Sequence, residues 1–218
     1  MHRLCLPFFV LAALVLARLP APAGILSGSD FVVDPGHGAR FADRSPLNVG
    51  AVGPSGVAEE QVVLDVSEDL AKLLRAAGAQ VELTRSHSHP FRIATDRAKD
   101  NRARAFFANA RQATAFMAIH ADGSLDRSQR GTSVFWLHDN STQLANAVRK
   151  RLQPLGLGES QFRRRHLAVT EEAKVPAVLV EIGFVSNPQQ AHLLASAGFQ
   201  QRIAAALFAA LVDVFGQR

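Results

Sequence analysis

A chain of 218 residues, 48% hydrophobic with a formal net charge of +5, is long enough for one domain with a proper core and at most a small appendage. No internal repeat or low-complexity tract interrupts it, and the single cysteine, Cys5, excludes a disulfide framework. The positive charge suits an acidic surface or polymer, but the basic clusters Arg102/Arg104 and Arg163-Arg164-Arg165 lack the interleaved aromatics of a nucleic-acid platform, so no nucleic-acid partner is expected.

Taken in chain order, Met1-His2-Arg3, the apolar run Leu4 to Ala17 and Ala21-Pro22-Ala23 before Gly24 form the n-region, h-region and small-residue site of a secretory signal. The apolar run is shorter than the ~20 residues of a spanning helix, and Arg18 interrupts it. The expectation is removal of residues 1–23, export across an inner membrane to a periplasm, no stable membrane insertion afterwards, and a cysteine-free domain over 24–218.

Phe31-Val32-Val33 reads as a short buried strand, and residues 38–58, rich in Gly, Pro, Ser and Asn, as a loop. From Glu59, the positions Val62, Val63, Val66, Leu70, Leu73 and Leu74 recur at helical spacing up to Gly78, which stands where a C-terminal cap belongs. Gln80 to Thr84 alternates as a half-buried strand does, and residues 92–112 predict a helix that is very polar on one side. Phe116 to Ile119 and Val134 to Leu137 predict two further strands, followed by a helix over about 140–152. Then come Arg163 to Arg165, read as a solvated charge run, the short apolar run Leu167-Ala168-Val169, the strongly apolar Ala177 to Val180, and a final helix from Phe199 to Phe215. Strands alternating with helices imply an α/β single domain with a mainly parallel or mixed central sheet and helices on both faces.

In such sheets ligands gather at the carboxyl ends of the strands. His37 follows the first strand in Asp34-Pro35-Gly36-His37-Gly38, His120 follows another in Ala118-Ile119-His120-Ala121-Asp122, and Glu181 follows Ala177 to Val180. Glu59, opening the first long helix, can reach the same edge. Two imidazoles, a carboxylate and a second carboxylate for proton transfer are what a hydrolytic zinc site requires. Each residue has a blander reading. A lone histidine is often structural, a glutamate at a helix N-terminus can answer the dipole alone, and Glu181 can form a buried salt bridge, for instance to Arg104. His87 and His89 read as a turn beside a strand, and His138, His166 and His192 show no partners.

Several motifs in the same order resemble the zinc-dependent N-acetylmuramoyl-L-alanine amidases of type 3. They are Asp34-Pro35-Gly36-His37-Gly38, the glycine-rich stretch Gly50 to Glu59, Leu83-Thr84-Arg85, Arg104-Ala105-Phe106-Phe107-Ala108-Asn109, Ala118 to Asp122 and Pro176 to Asn187. The resemblance spans about residues 31 to 215. It implies that His37, Glu59 and His120 bind Zn2+ and that Glu181 is the catalytic carboxylate. A zinc-bound water would then cleave the amide between N-acetylmuramic acid and the L-alanine of the stem peptide in peptidoglycan.

Four features depart from the family's usual pattern: a longer loop between His37 and Glu59, Asp122 for asparagine, Thr114 for aspartate, and Thr170-Glu171 for a Leu-Arg or Leu-Lys pair. None removes a ligand; they bear on substrate preference. For such an enzyme Arg163 to Arg165, read above as a solvated charge run, are the alternative candidates for meeting stem-peptide carboxylates. The expected protein is a minimal monomeric autolysin-type catalytic domain acting on peptidoglycan or muropeptides, with an activator among its conceivable partners. The alternatives are a zinc carboxypeptidase or other peptidase on wall peptides, or a non-catalytic peptidoglycan-binding domain.

Overall fold

The computed structural model describes residues 24–38, 48–87 and 97–217. The signal segment, His89 and much of the long loop after Gly38 lie outside the described residues.

Six strands form one sheet in the order β2-β1-β3-β6-β4-β5. They are β1 (Asp30–Pro35), β2 (Gln80–Leu83), β3 (Ala115–Asp122), β4 (Thr132–Trp136), β5 (Glu159–Arg164) and β6 (Ala177–Phe184). All neighbours pair in parallel except β4 with β6, which run antiparallel, so the sheet is mixed as expected.

Apolar residues on alternate positions divide between two cores. Phe31, Val33, Met117, Ile119, Val178 and Val180 face one side, where α1 (Glu59–Ala76), α3 (Thr142–Leu152) and α6 (Ala197–Phe215) pack, with α5 (Pro188–Leu194) adding Leu194. Val32, Phe116, Ala118, Phe135 and Leu179 face the other, covered by Ala105 and Ala108 of α2 (Arg97–Ala110) and Val169 of α4 (Ala168–Glu171). Side chains two apart along a strand share a face, so His120, Glu181 and Ser133 belong to this second, thinly covered side. That difference in cover leaves room for a site.

Helix α1 forms because its apolar residues recur on one stripe, and Val62, Val66, Leu70 and Leu74 are all buried. Fully burying each such side chain contributes roughly 1.5–3 kcal/mol. The helix stops at Gly78, whose φ of +92° continues the turn beyond Ala77 and lets Ala79 N–H bond the Leu74 carbonyl at 3.1 Å. Helix α6 is long and apolar enough to cross a membrane, yet Phe199, Ile203, Leu207 and Leu211 are buried in the core.

Three elements differ from the sequence reading. Arg163 and Arg164 of the arginine run end strand β5, an edge strand held by parallel pairing with β4, and Arg165 follows it. Ala168 and Val169 begin the short helix α4, and Pro188 to Leu194 form a helix capped by Asn187, whose side chain accepts from Gln189 and Gln190 N–H. Strands β3 and β6 are also longer than their apolar runs, so His120 and Glu181 lie inside strands and not beyond their ends.

Candidate metal centre

Strand β1 delivers Asp34-Pro35 to the thin side of the sheet, and Gly36 N–H extends its pairing by bonding the Ile119 carbonyl at 2.9 Å. The next residue, His37, has φ 61°. That left-handed backbone costs a non-glycine residue roughly 1–2 kcal/mol and persists only where neighbours enforce it.

The enforcement comes from two buried guanidinium groups. Arg104, 1% exposed, donates to the Pro35 carbonyl at 3.0 Å, the His37 carbonyl at 2.8 Å and the Asp34 carboxylate at 2.7 Å. Arg85, 2% exposed, donates to the Pro35 carbonyl at 2.9 Å and the Gly36 carbonyl at 2.7 Å. Three successive carbonyls are thereby held. Asp34 and Asp100 balance the charge of Arg104, and Glu60 that of Arg85. Burial lowers the Arg85 pKa to about 10, which leaves it cationic at neutral pH. The suggested pairing of Arg104 with Glu181 is therefore replaced by one with Asp34 and Asp100.

The ring of His37 is aimed by Asn48, whose Oδ1 lies 3.2 Å from Nδ1, while Nε2 lies 2.9 Å from Glu59 Oε1. The same oxygen lies 3.0 Å from His120 Nδ1. Helix α1 presents Glu59 from its first turn, and backbone N–H groups fix both carboxylate oxygens, Ala121 to Oε1 at 3.0 Å and Ala51 to Oε2 at 2.9 Å. His37, Glu59 and His120 offer ligand atoms all within 4.8 Å of one another.

Two glycines make this convergence sterically feasible. A Cβ on Gly36 would stand 2.4 Å from the His120 ring, and one on Gly50, φ +69°, would stand 2.5 Å from Glu59 Oε2 and 2.7 Å from His37.

Burial alone would raise the Glu59 pKa, but hydrogen bonds from His120 and His37 outweigh it and hold the carboxyl far below its usual range. Burial would lower His37, and the Glu59 hydrogen bond and charge reverse that. An ionised carboxylate between two imidazoles, fixed by backbone and side-chain hydrogen bonds, is a donor set suited to a divalent metal such as zinc.

Glu181 opposes His120 across the β3–β6 pairing and Ser133 across the β4–β6 pairing. Its Oε2 and the Ser133 hydroxyl are both covered and have no hydrogen-bond partner among the described residues. Burial, followed by the negative charges of Glu59 and Asp122, pushes the Glu181 pKa well above the usual carboxylate range, with Arg165 opposing. Burial likewise raises Asp122.

The remaining histidines of the described chain stand elsewhere. His87 lies 3.4 Å from Asp65 and 3.7 Å from Glu68, His138 lies 3.1 Å from the Glu171 carbonyl, and His166 lies 3.4 Å from the Glu171 carboxylate. Arg85 was legible only as a motif member, and Arg104 as a motif member and as a possible partner of Glu181, not as a clamp on the His37 turn. Asp100, four residues before Arg104 on one helix face, was the available sign of a buried charge pair.

A family profile described as N-acetylmuramoyl-L-alanine amidase matches residues 31–213. The probable cell wall amidase LytH of Staphylococcus epidermidis is 29% identical over 164 residues, covering 75% of this chain and 50% of its own length. The chain thus spans half the length of that relative. The N-acetylmuramoyl-L-alanine amidase AmiA of Escherichia coli is 27% identical over 232 residues, 84% of this chain and 75% of its own. Among solved structures, the N-acetylmuramoyl-L-alanine amidase AmiC2 of Nostoc punctiforme superposes with a TM-score of 0.74 at 27% identity, covering 86% of this chain and 97% of that one. With the profile running through β1, the metal-suited triad and β6, the chain belongs to the type-3 family of N-acetylmuramoyl-L-alanine amidases.

Proposed function

We propose that this protein hydrolyses the amide between N-acetylmuramic acid and the L-alanine of the peptidoglycan stem peptide, with His37, Glu59 and His120 holding zinc and Glu181 transferring the proton. Zinc, when bound, would polarise the scissile carbonyl and lower the pKa of a water molecule. The observation that carries the reading is the pairing of an ordered His-Glu-His triad with a raised-pKa carboxyl one strand away.

The two glutamates differ as the reaction requires. Glu59 is kept ionised by its donors and binds, whereas Glu181 has no such donors and is free to take a proton and return it. Its place beside His120 lets it act as base toward the attacking water and then as acid toward the leaving amine. A general acid–base group contributes typically 10²–10⁴-fold. A purely wall-binding domain would have no use for such a carboxyl.

Family membership and the wall-directed relatives support export and a peptidoglycan or muropeptide substrate; we take the exported form to act as a monomer in a periplasm, after loss of residues 1–23. The experiment is mass spectrometry of digested peptidoglycan. Zinc-dependent release of stem peptides with a free N-terminal alanine, absent with Glu181→Gln, is the expected result. Peptides shortened while still attached to muramic acid would favour the peptidase alternative.

A further inference from the structure

The three arginines at and just beyond the end of β5 have different occupations. Arg163 donates from Nε to Gln161 at 2.9 Å. Arg164 pairs with Asp139 and reaches the Leu137 carbonyl at 3.2 Å. The Arg165 guanidinium makes no hydrogen bond or ion pair among the described residues; it stands 5.2 Å over the ring of Phe135, open to solvent. Its backbone is nevertheless fixed at both ends. The N–H donates to the Trp136 carbonyl at 2.8 Å, and the carbonyl accepts from the buried hydroxyl of Thr170 at 3.1 Å.

Phe135 opposes Leu179 on the sheet just as Ser133 opposes Glu181. The two pairs share a face and lie two strand residues, roughly 7 Å, apart. A cation without an ion pair among the described residues is therefore held over Phe135, two strand positions from the Ser133–Glu181 pair, on the thinly covered side of the sheet, and its charge reaches Glu181 and Asp122.

An extended peptide advances roughly 3.3–3.6 Å per residue. A substrate whose scissile amide sits at Glu181 would thus bring groups one or two residues further along to Arg165. The lactyl carboxyl on the glycan side is tied up in the amide being cut, so a free carboxylate must come from the peptide. We infer that Arg165 is a specificity residue, receiving a carboxylate of the stem peptide one or two residues beyond the scissile amide. This rests on the amidase reading above. A guanidinium fork matches a carboxylate with two hydrogen bonds, and the Phe135 ring restricts where that fork points.

The test uses two synthetic N-acetylmuramoyl peptides in which L-alanine is followed by a residue bearing either a free carboxylate or its carboxamide, cleaved by the zinc-loaded protein. The expected kcat/KM ratio favours the carboxylate about tenfold in the wild type, the scale of one charge-assisted contact. It falls toward one in Arg165→Gln, is partly restored in Arg165→Lys, and stays at the wild-type value in Arg163→Gln. An unchanged ratio in Arg165→Gln overturns the assignment. So does an equal loss on both substrates, which would show the arginine acting through Glu181 alone. Failure of the wild type to cleave either peptide would overturn the amidase reading and this inference with it.

Discussion

In the proposed mechanism Glu181 illustrates how a single side chain is set for chemistry at a cost to the fold. Its Oε2 is covered and has no hydrogen-bond partner among the described residues, and burial holds the carboxyl pKa well above its ordinary value, so the folded state keeps its proton after the unfolded chain, with a carboxyl pKa of about 4.3, has lost it. The folded state then binds more protons, and stability falls as pH rises from that value toward the raised folded pKa. Metal-free Glu181→Gln is accordingly expected to melt higher than the wild type at pH 8 and to lose that advantage at pH 4. Equal differences at the two pH values in chelator-treated melts would contradict it. Gly50 is the opposite kind of position, where any side chain strikes Glu59 and His37. Gly50→Ala is expected to lower zinc affinity at least tenfold, measured by competition with a chelating dye, while circular dichroism shows a folded protein. The four proposed site residues were legible because His37, His120 and Glu181 stand against apolar runs and Glu59 opens the first long helix. The burial of the two arginines that impose the shape of the His37 turn was not, because a charged residue gives no sign of burial either in a polar helix, as Arg104, or in the segment after a short strand, as Arg85.

At the level of elements, the strongest constraint is the clamp between α2 and the end of β1. Removing one partner of a buried ion pair strands the others and typically costs 3–5 kcal/mol. Arg104→Met is expected to destabilise by about that much in urea unfolding, because Asp34 and Asp100 lose their counterion, whereas Arg163→Met should stay within about 0.5 kcal/mol. Equal effects would mean that the clamp is not structural. Helix α1 and the central strands were readable from periodicity, since burial of one stripe or one run determines them. Strand β5 was not: only Phe162 in it is a large apolar residue, and its order comes from hydrogen bonds to β4 that leave no mark on its composition. Leu167-Ala168-Val169 was equally silent, since a three-residue apolar run suits a strand or a helical turn alike, and α4 is settled by packing of Val169 against the second core.

For the molecule as a whole, a metal held by the proposed His37-Glu59-His120 site would tie the end of β1, α1 and β3 together. A ligand at a thousandfold over its Kd adds about 4 kcal/mol to stability, and for a chain of this size each kcal/mol moves Tm by roughly 2–4 °C. Saturating zinc should therefore raise Tm by about 8–16 °C in differential scanning calorimetry, an increase expected to vanish in Glu59→Gln. An open sheet also has two unpaired margins. One is β2, only four residues long and carrying Glu82; the other is β5, with Glu159, Arg163 and Arg164 along it. Short, charged margins repel a second strand, so the charges that make β5 hard to recognise also discourage end-to-end polymerisation of the protein in concentrated solution.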